Sequence, residues 1–155
     1  MGPGGISAGG TVTNSNATAA ALTINSSLFS SSWAGRIMNG LGAVTLNKMG
    51  LGTLNILANR VDAPDAGNNT YTGGTNFYGG RITAQNVFAF GGADGTTAGA
   101  LNLYSTGSIG VTNQVDLLAD GGSINGTIIY GNQSTNGLNV NVRGLATINV
   151  DRVGS

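Results

Sequence analysis

The sequence lacks cysteine, histidine and glutamate, and only 8% of its 155 residues are charged. Without cysteine it forms no disulfide, no CxxC redox motif and no thiolate metal site. The absence of all three residue types removes most of the usual general acids, general bases and nucleophiles. Six basic residues balance six acidic ones without clustering, so nucleic acid is not an expected partner. We therefore predict no enzyme activity, no cofactor and no metal ion.

Long apolar runs are missing as well. No stretch of about 18 apolar residues is present, so no membrane-spanning helix is predicted. No charged and apolar leader opens the chain. The glycine-rich residues 1–10 are expected to be an added start and a flexible N-terminus. We interpret residues 11–155 as a fragment of a longer protein, and the rest of that polypeptide is its first expected partner.

What the sequence does contain is 28 glycines interleaved with Asn, Thr and Ser. Apolar residues recur with period two in short bursts, and the alternate positions are Asn or Thr, which predicts strands with one apolar and one uncharged polar face. The clearest predicted strands are residues 22–25, 44–47, 54–56, 101–103, 138–142 and 148–150. Further short strands are predicted at residues 77–78, 81–84, 109–111, 115–117 and 127–130.

Gly-Gly and Asn-Gly pairs separate these strands and leave two folded architectures open. Asn-Gly is a strong hairpin signal and favours an antiparallel sandwich or barrel. The strands are short and aromatic residues make up only 6% of the chain, which favours a parallel solenoid. At roughly 20–25 residues per turn, the solenoid would have about six or seven turns. The third interpretation, disordered low complexity, does not explain the apolar alternation.

A parallel stack would also explain the abundance of asparagine and the shortage of charge. Each side chain would lie about 4.8 Å above a similar one, so like charges would repel. Stacked amides can instead hydrogen-bond along the column, while stacked Leu, Ile and Val fill the interior. We therefore expect columns of asparagine on the polar faces of the strands.

Two segments carry a family resemblance. Residues 46–56 are Leu-Asn-Lys-Met-Gly-Leu-Gly-Thr-Leu-Asn-Ile, and residues 69–75 are Asn-Thr-Tyr-Thr-Gly-Gly-Thr. Together they resemble the passenger-associated transport repeat of bacterial autotransporters, also called the autotransporter-associated β-strand repeat. The resemblance covers residues 22–124 and includes one full repeat at residues 46–91. Residues 59–68 depart from the pattern and are predicted to form a loop at one corner.

The resemblance implies a right-handed, single-stranded parallel β-helix that forms the stalk of an exported passenger. It also implies a location outside the cell or on the bacterial surface, and a contribution to export by folding there. Its motif residues have structural roles; they are Lys48, Gly50, Gly52, Thr53, Leu54, Asn69, Tyr71, Thr72, Gly73, Gly74, Thr75 and Gly80. A solenoid fragment has open strand edges at both ends, so we expect end-to-end self-association.

Aromatic side chains suggest a first alternative function, an adhesin or glycan-binding surface module. Exposed tyrosines and phenylalanines could stack on a glycan or host-surface ligand. The residues concerned are Tyr71, Phe77, Tyr78 and Tyr104. The simpler expectation is that Tyr71 belongs to the family turn and that Phe77 fills the interior. Trp33, the only tryptophan, could equally be such a stacking platform or cap the N-terminal region.

Carboxylates suggest a second alternative, a fragment of a β-helical polysaccharide-degrading enzyme. Such chemistry needs paired carboxylates or a carboxylate-bound metal. Asp116 and Asp120 are the closest regular pair, and both are expected to end in solvent. Asp62 and Asp65, with Asn68 and Asn69 nearby, offer oxygen ligands for Ca²⁺, but the spacing of a calcium loop is absent. An exposed polar loop is the simpler prediction there.

Overall fold

The computed structural model describes residues 10–57, 68–92, 99–104, 113–117 and 138–150. Within these ranges every regular element is a β-strand. The strands are β1 (Thr11–Val12), β2 (Ala20–Asn25), β3 (Ser31–Trp33), β4 (Arg36–Ile37), β5 (Val44–Met49), β6 (Thr53–Ile56), β7 (Thr75–Phe77), β8 (Arg81–Ala84), β9 (Gly99–Tyr104), β10 (Asn113–Leu117), β11 (Leu138–Arg143) and β12 (Ala146–Val150). The prediction of an all-β chain is confirmed.

All pairing between the described strands is parallel. The first sheet has five strands in the order β11-β9-β7-β5-β2, and the second has five in the order β12-β10-β8-β6-β3. β1 pairs with β4 in a small third sheet. From β5 onward, consecutive strands alternate between the first and second sheets. We call one pass of the chain through both sheets a circuit. Four such pairs lie between described strands, and each joins strands of different sheets: Asn39-Gly40, Gly73-Gly74, Gly79-Gly80 and Gly91-Gly92. No pair of described strands is a hairpin.

The period-two pattern explains which side chains enter the interior. In β5, Val44, Leu46 and Lys48 are buried while Thr45 and Asn47 are partly exposed. Because the strands are parallel and in register, equivalent residues of successive circuits lie over one another. The buried apolar residues of the two large sheets form one cluster with Ile37 of β4 and with Tyr71, Ala89 and Phe90 of the connections. The members from the large sheets are Val44, Leu46, Leu54, Ile56, Phe77, Ile82, Ala84, Leu101, Leu103 and Val115.

Glycine is required at the corner that connects the first sheet to the second. Gly50 and Gly80 follow β5 and β7 with φ angles of 77° and 84°, which disfavour any residue with a Cβ. A Cβ on Gly80 would also lie 2.6 Å from the carbonyl oxygens of Gly50 and Gly52. Successive circuits therefore approach closely at this corner through backbone alone.

The observed strands agree with most of the predicted ones. β2, β5, β6, β9, β11 and β12 each contain a predicted strand, β8 is as predicted, and β10 extends its prediction toward the N-terminus. β7 begins at Thr75, inside the segment that the motif places in a turn. β1, β3 and β4 were not predicted, because two or three residues are too few to show a period. The predictions at residues 109–111 and 127–130 lie outside the described residues.

Candidate functional site

The motif segment at residues 69–75 forms the corner that leads into β7, and Asn69 connects it to the circuits on either side. The Asn69 side chain is fully buried. Its Oδ1 accepts the backbone N–H of Ile37 at 2.8 Å, and its Nδ2 donates to the carbonyl oxygen of Ala89 at 3.0 Å. Ile37 lies at the equivalent corner one circuit earlier, and Ala89 lies one circuit later. One side-chain amide therefore connects three consecutive circuits.

Tyr71 inserts into the interior from the same corner. Its hydroxyl donates to the carbonyl oxygen of Ala89 at 3.2 Å and is hydrogen-bonded to the hydroxyl of Thr75. Burial raises the pKa of Tyr71 well above its ordinary value, and the Thr75 hydrogen bond opposes that rise. The phenol therefore stays neutral and serves as a buried hydrogen-bonding group.

The turn residues of the motif fit closely against the preceding circuit. The N–H of Gly73 donates to the carbonyl oxygen of Val44 at 2.9 Å, and a Cβ on Gly73 would lie 2.5 Å from that same oxygen. Gly74 has a φ of 79°. Asn39 donates through Nδ2 to the Thr72 hydroxyl at 2.8 Å and accepts the Thr72 N–H at 3.2 Å. The Thr-Gly-Gly sequence is thus specified by close contact between circuits.

Lys48 is a fully buried cation at the end of β5. Its Nζ donates to the carbonyl oxygens of Met49, Gly50 and Gly79 at 2.8, 2.8 and 2.9 Å. The same nitrogen lies 5.7 Å from the centre of the Phe77 ring. Burial lowers the pKa of Lys48 to about 8. The ammonium therefore joins the glycine corners of two circuits, and no described carboxylate forms a salt bridge with it.

The remaining motif residues also lie in strands and corners. Leu54 is in the core cluster and Thr53 begins β6. A Cβ on Gly52 would lie 2.3 Å from the carbonyl oxygen of Phe29, so Gly52 allows a close contact with the preceding circuit. These positions thus lie on the contact between circuits.

An asparagine ladder (Asn47, Asn76, Asn102 and Asn141) runs along the outer face of the first sheet. Asn76 Nδ2 donates to Asn47 Oδ1 at 3.0 Å, and Asn102 Nδ2 donates to Asn76 Oδ1 at 2.9 Å. Asn141 Nδ2 continues the series to Asn102 Oδ1 at 2.9 Å. The strand register places these residues directly opposite one another. The expected asparagine column is therefore present.

The solvent position predicted for Asp116 is wrong, because this residue is 2% exposed. Its Oδ2 accepts from Arg81 Nε and from the Thr83 hydroxyl at 3.5 Å. Its Oδ1 accepts from Gln114 Nε2 at 3.0 Å and from Asn149 Nδ2 at 2.8 Å. Burial alone would raise the pKa of Asp116, but hydrogen bonds from Arg81, Asn149 and Gln114 outweigh it and hold the pKa below its ordinary value.

This carboxylate therefore has no lone pair left for a metal or a proton relay. Its partners Arg81, Gln114 and Asn149 carry no signal in the sequence. Arg81 stands 35 positions away along the chain, and only the register of β8 against β10 brings the two side chains together. Asp120, the proposed second carboxylate, lies outside the described residues.

The aromatic residues divide into two groups. Tyr71 and Phe77 are buried and unavailable to a ligand. Tyr78 and Tyr104 lie at the surface with their ring centres 4.8 Å apart and their planes 14° apart, so they stack on each other. The guanidinium of Arg143 lies 5.7 Å from the centre of the Tyr104 ring. Tyr104 therefore has one ring face against Tyr78 of the preceding circuit and a guanidinium of the following circuit within cation–π distance.

Trp33 lies in β3, the edge strand of the second sheet, and packs against the core cluster. Its Nε1 is buried and has no hydrogen-bond partner among the described residues. Among the described strands, this position is the N-terminal edge of the second sheet.

The four residues considered as oxygen ligands for calcium lie only partly in the described part of the chain. Asp62 and Asp65 lie outside it. Asn68 Oδ1 accepts from Asn86 Nδ2 at 2.9 Å, and both amide atoms of Asn69 are engaged as described above. Among the described residues no group of three acidic, histidine or cysteine side chains comes together.

No family model, curated protein or solved structure matches the chain. Across the described ranges, no helix is long and apolar enough to cross a bilayer. The buried polar side chains of the motif form hydrogen bonds to polar groups of the neighbouring circuits. Its chemistry is that of a stack whose buried amides, phenol, ammonium and carboxylate hold successive levels together.

Proposed function

We propose that the chain is a segment of right-handed, single-stranded parallel β-helix that serves as the structural stalk of an exported, autotransporter-like surface protein. The alternation of parallel strands between two sheets supports the β-helix, because a chain that revisits each sheet once per circuit winds around a common interior. The stalk role comes from the resemblance of residues 46–56 and 69–75 to the autotransporter repeat.

One observation supports this proposal most strongly: several motif residues form contacts that join successive circuits. Asn69 connects three levels, and Lys48 connects two glycine corners. A motif repeated for catalysis would instead bring its polar groups together around an accessible cavity. A motif that joins levels is suited to a stalk, since each added circuit buries surface against the last and folding can propagate from one end.

The β-helix can be tested by measuring a distance along the stack. The chain has no cysteine, so Thr23→Cys and Asn141→Cys together give two unique labelling sites. Both side chains are exposed and both belong to the asparagine-ladder column, four sheet steps apart. Spin labels at these two positions should give one narrow distance distribution, centred at about 20 Å plus the length of the label side chains. A broad distribution would contradict a continuous stack.

The location can be tested on the cells that make the protein. Antibodies raised against the chain should label intact cells, and added protease should remove that labelling. Deleting residues 46–91 from the full-length gene should lower the amount displayed, because it removes the repeat and interrupts the stack. If labelling required permeabilised cells, the proposed location on the cell surface would be wrong.

Glycan binding is the second candidate, favoured by the surface pair of Tyr78 and Tyr104 beside Arg143. Its test is a glycan array with the parent chain and Tyr78→Ala. Binding by the parent that is lost in the variant would support an adhesin. The polysaccharide-degrading enzyme is less well supported, because Asp116 is fully engaged by its protein partners.

A further inference from the structure

Exposed apolar side chains gather at one corner on the side of the stack. Before β11, six large apolar side chains of the described residues are exposed, and five of them lie where the chain passes from the first sheet to the second. We call these five the apolar corner: Leu28, Phe29, Met49, Leu51 and Tyr78. Scattered exposed apolar residues are ordinary, whereas a cluster of them marks an interaction surface.

The ends of the stack do not account for this exposure. Leu51 lies between two described circuits, because its N–H donates to the carbonyl oxygen of Ser27 at 3.0 Å and Gly80 of the following circuit packs against its backbone. The Leu51 side chain is nevertheless 55% exposed. A corner points away from the axis of the stack, so further circuits at either end would leave Leu51 at the surface.

The backbone beneath the apolar corner is hydrogen-bonded within the protein. The carbonyl oxygens of Met49 and Gly50 each accept from Lys48 Nζ at 2.8 Å. The N–H groups of Leu51 and Gly52 donate to carbonyl oxygens of the preceding circuit at 3.0 and 2.7 Å. Loops usually pair such groups with water, and in lipid every backbone group left unpaired is costly. This corner can therefore enter an apolar medium without leaving these groups unpaired.

The corner is also free of charge at its surface. Residues 26–30 and 49–52 contain no charged side chain. Lys48 is fully buried beneath the corner, and Arg81, which begins β8, forms an ion pair with Asp116. Without surface charge, the corner loses little on leaving water and gains little from an anionic partner. Its chemistry therefore matches the acyl chains of a lipid.

We propose that the apolar corner binds the surface of a phospholipid bilayer, with Leu28, Phe29 and Leu51 inserted among the acyl chains. Leu28 and Phe29 are consecutive residues of one turn, 75% and 81% exposed. Such a protruding pair enters a fluid bilayer directly, whereas a folded protein partner would need a groove of matching shape. Tyr78, next to Met49 on the first sheet, then lies at the level of the headgroups, where the polar tip of its ring stays in water. The rest of the stack stays outside the membrane.

Sedimentation with sucrose-loaded vesicles of dioleoylphosphatidylcholine tests the proposal. The parent chain should sediment with the vesicles, and added salt should not release it, because apolar burial drives the binding. Phe29→Ser should lower the partition coefficient by ~10-fold or more, since this is the factor expected for the burial of one phenylalanine side chain. A parent chain that stays in the supernatant would overturn the proposal.

Leu41→Ser is the matched control. Leu41 is 78% exposed, but it precedes β5 whereas the apolar corner follows this strand. The Leu41 variant should bind vesicles like the parent, and both variants should melt like the parent because both side chains are exposed. Equal losses of binding in the Leu41 and Phe29 variants would contradict insertion at the apolar corner.

A fluorescent label measures insertion directly. The chain has no cysteine, so Leu51→Cys and Leu41→Cys each give one site for nitrobenzoxadiazole. Vesicles should shift the emission at residue 51 to shorter wavelength and leave the emission at residue 41 unchanged. An equal response at both sites would show non-specific adsorption. A response at residue 51 that follows protein concentration without vesicles would assign the corner to a second copy, and either result would overturn the proposal. The stalk is tested separately by the distance along the asparagine ladder.

Discussion

At the scale of single residues, the stack depends on polar groups that are buried and satisfied. A buried lysine is ordinarily destabilising, since its charge loses water. Lys48 replaces that water with three carbonyl oxygens and an aromatic ring. Its lowered pKa records the part of the desolvation that those contacts do not offset.

This pKa makes stability depend on pH in a defined direction. The folded pKa of about 8 lies below the ordinary lysine value of 10.5, so the unfolded chain binds more protons between these values and stability rises with pH. We expect the free energy of unfolding to increase by about 1–2 kcal/mol from pH 8 to pH 9.5. Urea denaturation at the two pH values measures it.

Lys48→Met is the control for that experiment, because it keeps a long side chain and removes the titrating amine. The variant should lose the increase between the two pH values, whatever its stability at neutral pH. The upper limit of pH 9.5 keeps the unfolded tyrosines, with an ordinary pKa of about 10, mostly protonated, because their ionisation would act in the opposite direction. An equal increase in parent and variant would assign the effect to another group.

Asn69 offers a second test at this scale. Asn69→Ala leaves the N–H of Ile37 without its buried acceptor and removes a donor from Ala89. We expect a loss of about 2–3 kcal/mol in the free energy of unfolding, read from the urea midpoint. Asn55→Ala is the matched control, because its only side-chain contact described is a 3.5 Å approach to Ser32. Similar losses in the two variants would show that burial between circuits is not what matters.

At the scale of elements, the asparagine ladder relates the composition to the sheet. Asn76 is one of its two inner members and has an amide partner on each side. Asn76→Ala removes both hydrogen bonds and interrupts the series, so we expect a loss of about 1–2 kcal/mol by thermal or urea denaturation. Asn139→Ala should change little, because the column of Asn139 contains Ala100 instead of an amide. The ladder would have no energetic role if both variants melted alike.

The strands themselves were predictable wherever apolar residues alternate with Asn or Thr, as in β2, β5 and β11. β3 was not, since Ser31–Trp33 has a single apolar residue at its end. The burial of Asp116 was equally hidden, because its partner Arg81 is identified only by the register between β8 and β10. The period-two pattern predicts which face of a strand is buried. Which residue lies beside it one circuit away depends on the lengths and shapes of the connections.

At the scale of the whole molecule, stability depends on an unbroken interior. Leu54 is 1% exposed and stacks between Ser31 of β3 and Ile82 of β8. Leu54→Asp places a carboxylate in this column, and we expect the loss of at least about 4 kcal/mol and of the cooperative transition seen by circular dichroism. Leu51→Asp, at a corner position 55% exposed, is the matched control and should melt like the parent. If the two variants behave alike, the inner face of β6 has been assigned wrongly.

The parallel pairing of both large sheets has a mechanical consequence. Hydrogen bonds between parallel strands run across the strands, so here they point along the direction in which the circuits are stacked. Tension applied between the first and last circuits loads these bonds a few at a time by peeling, rather than shearing all of them together. We expect the circuits to unfold one at a time at low force and to refold in the same steps when the tension is released.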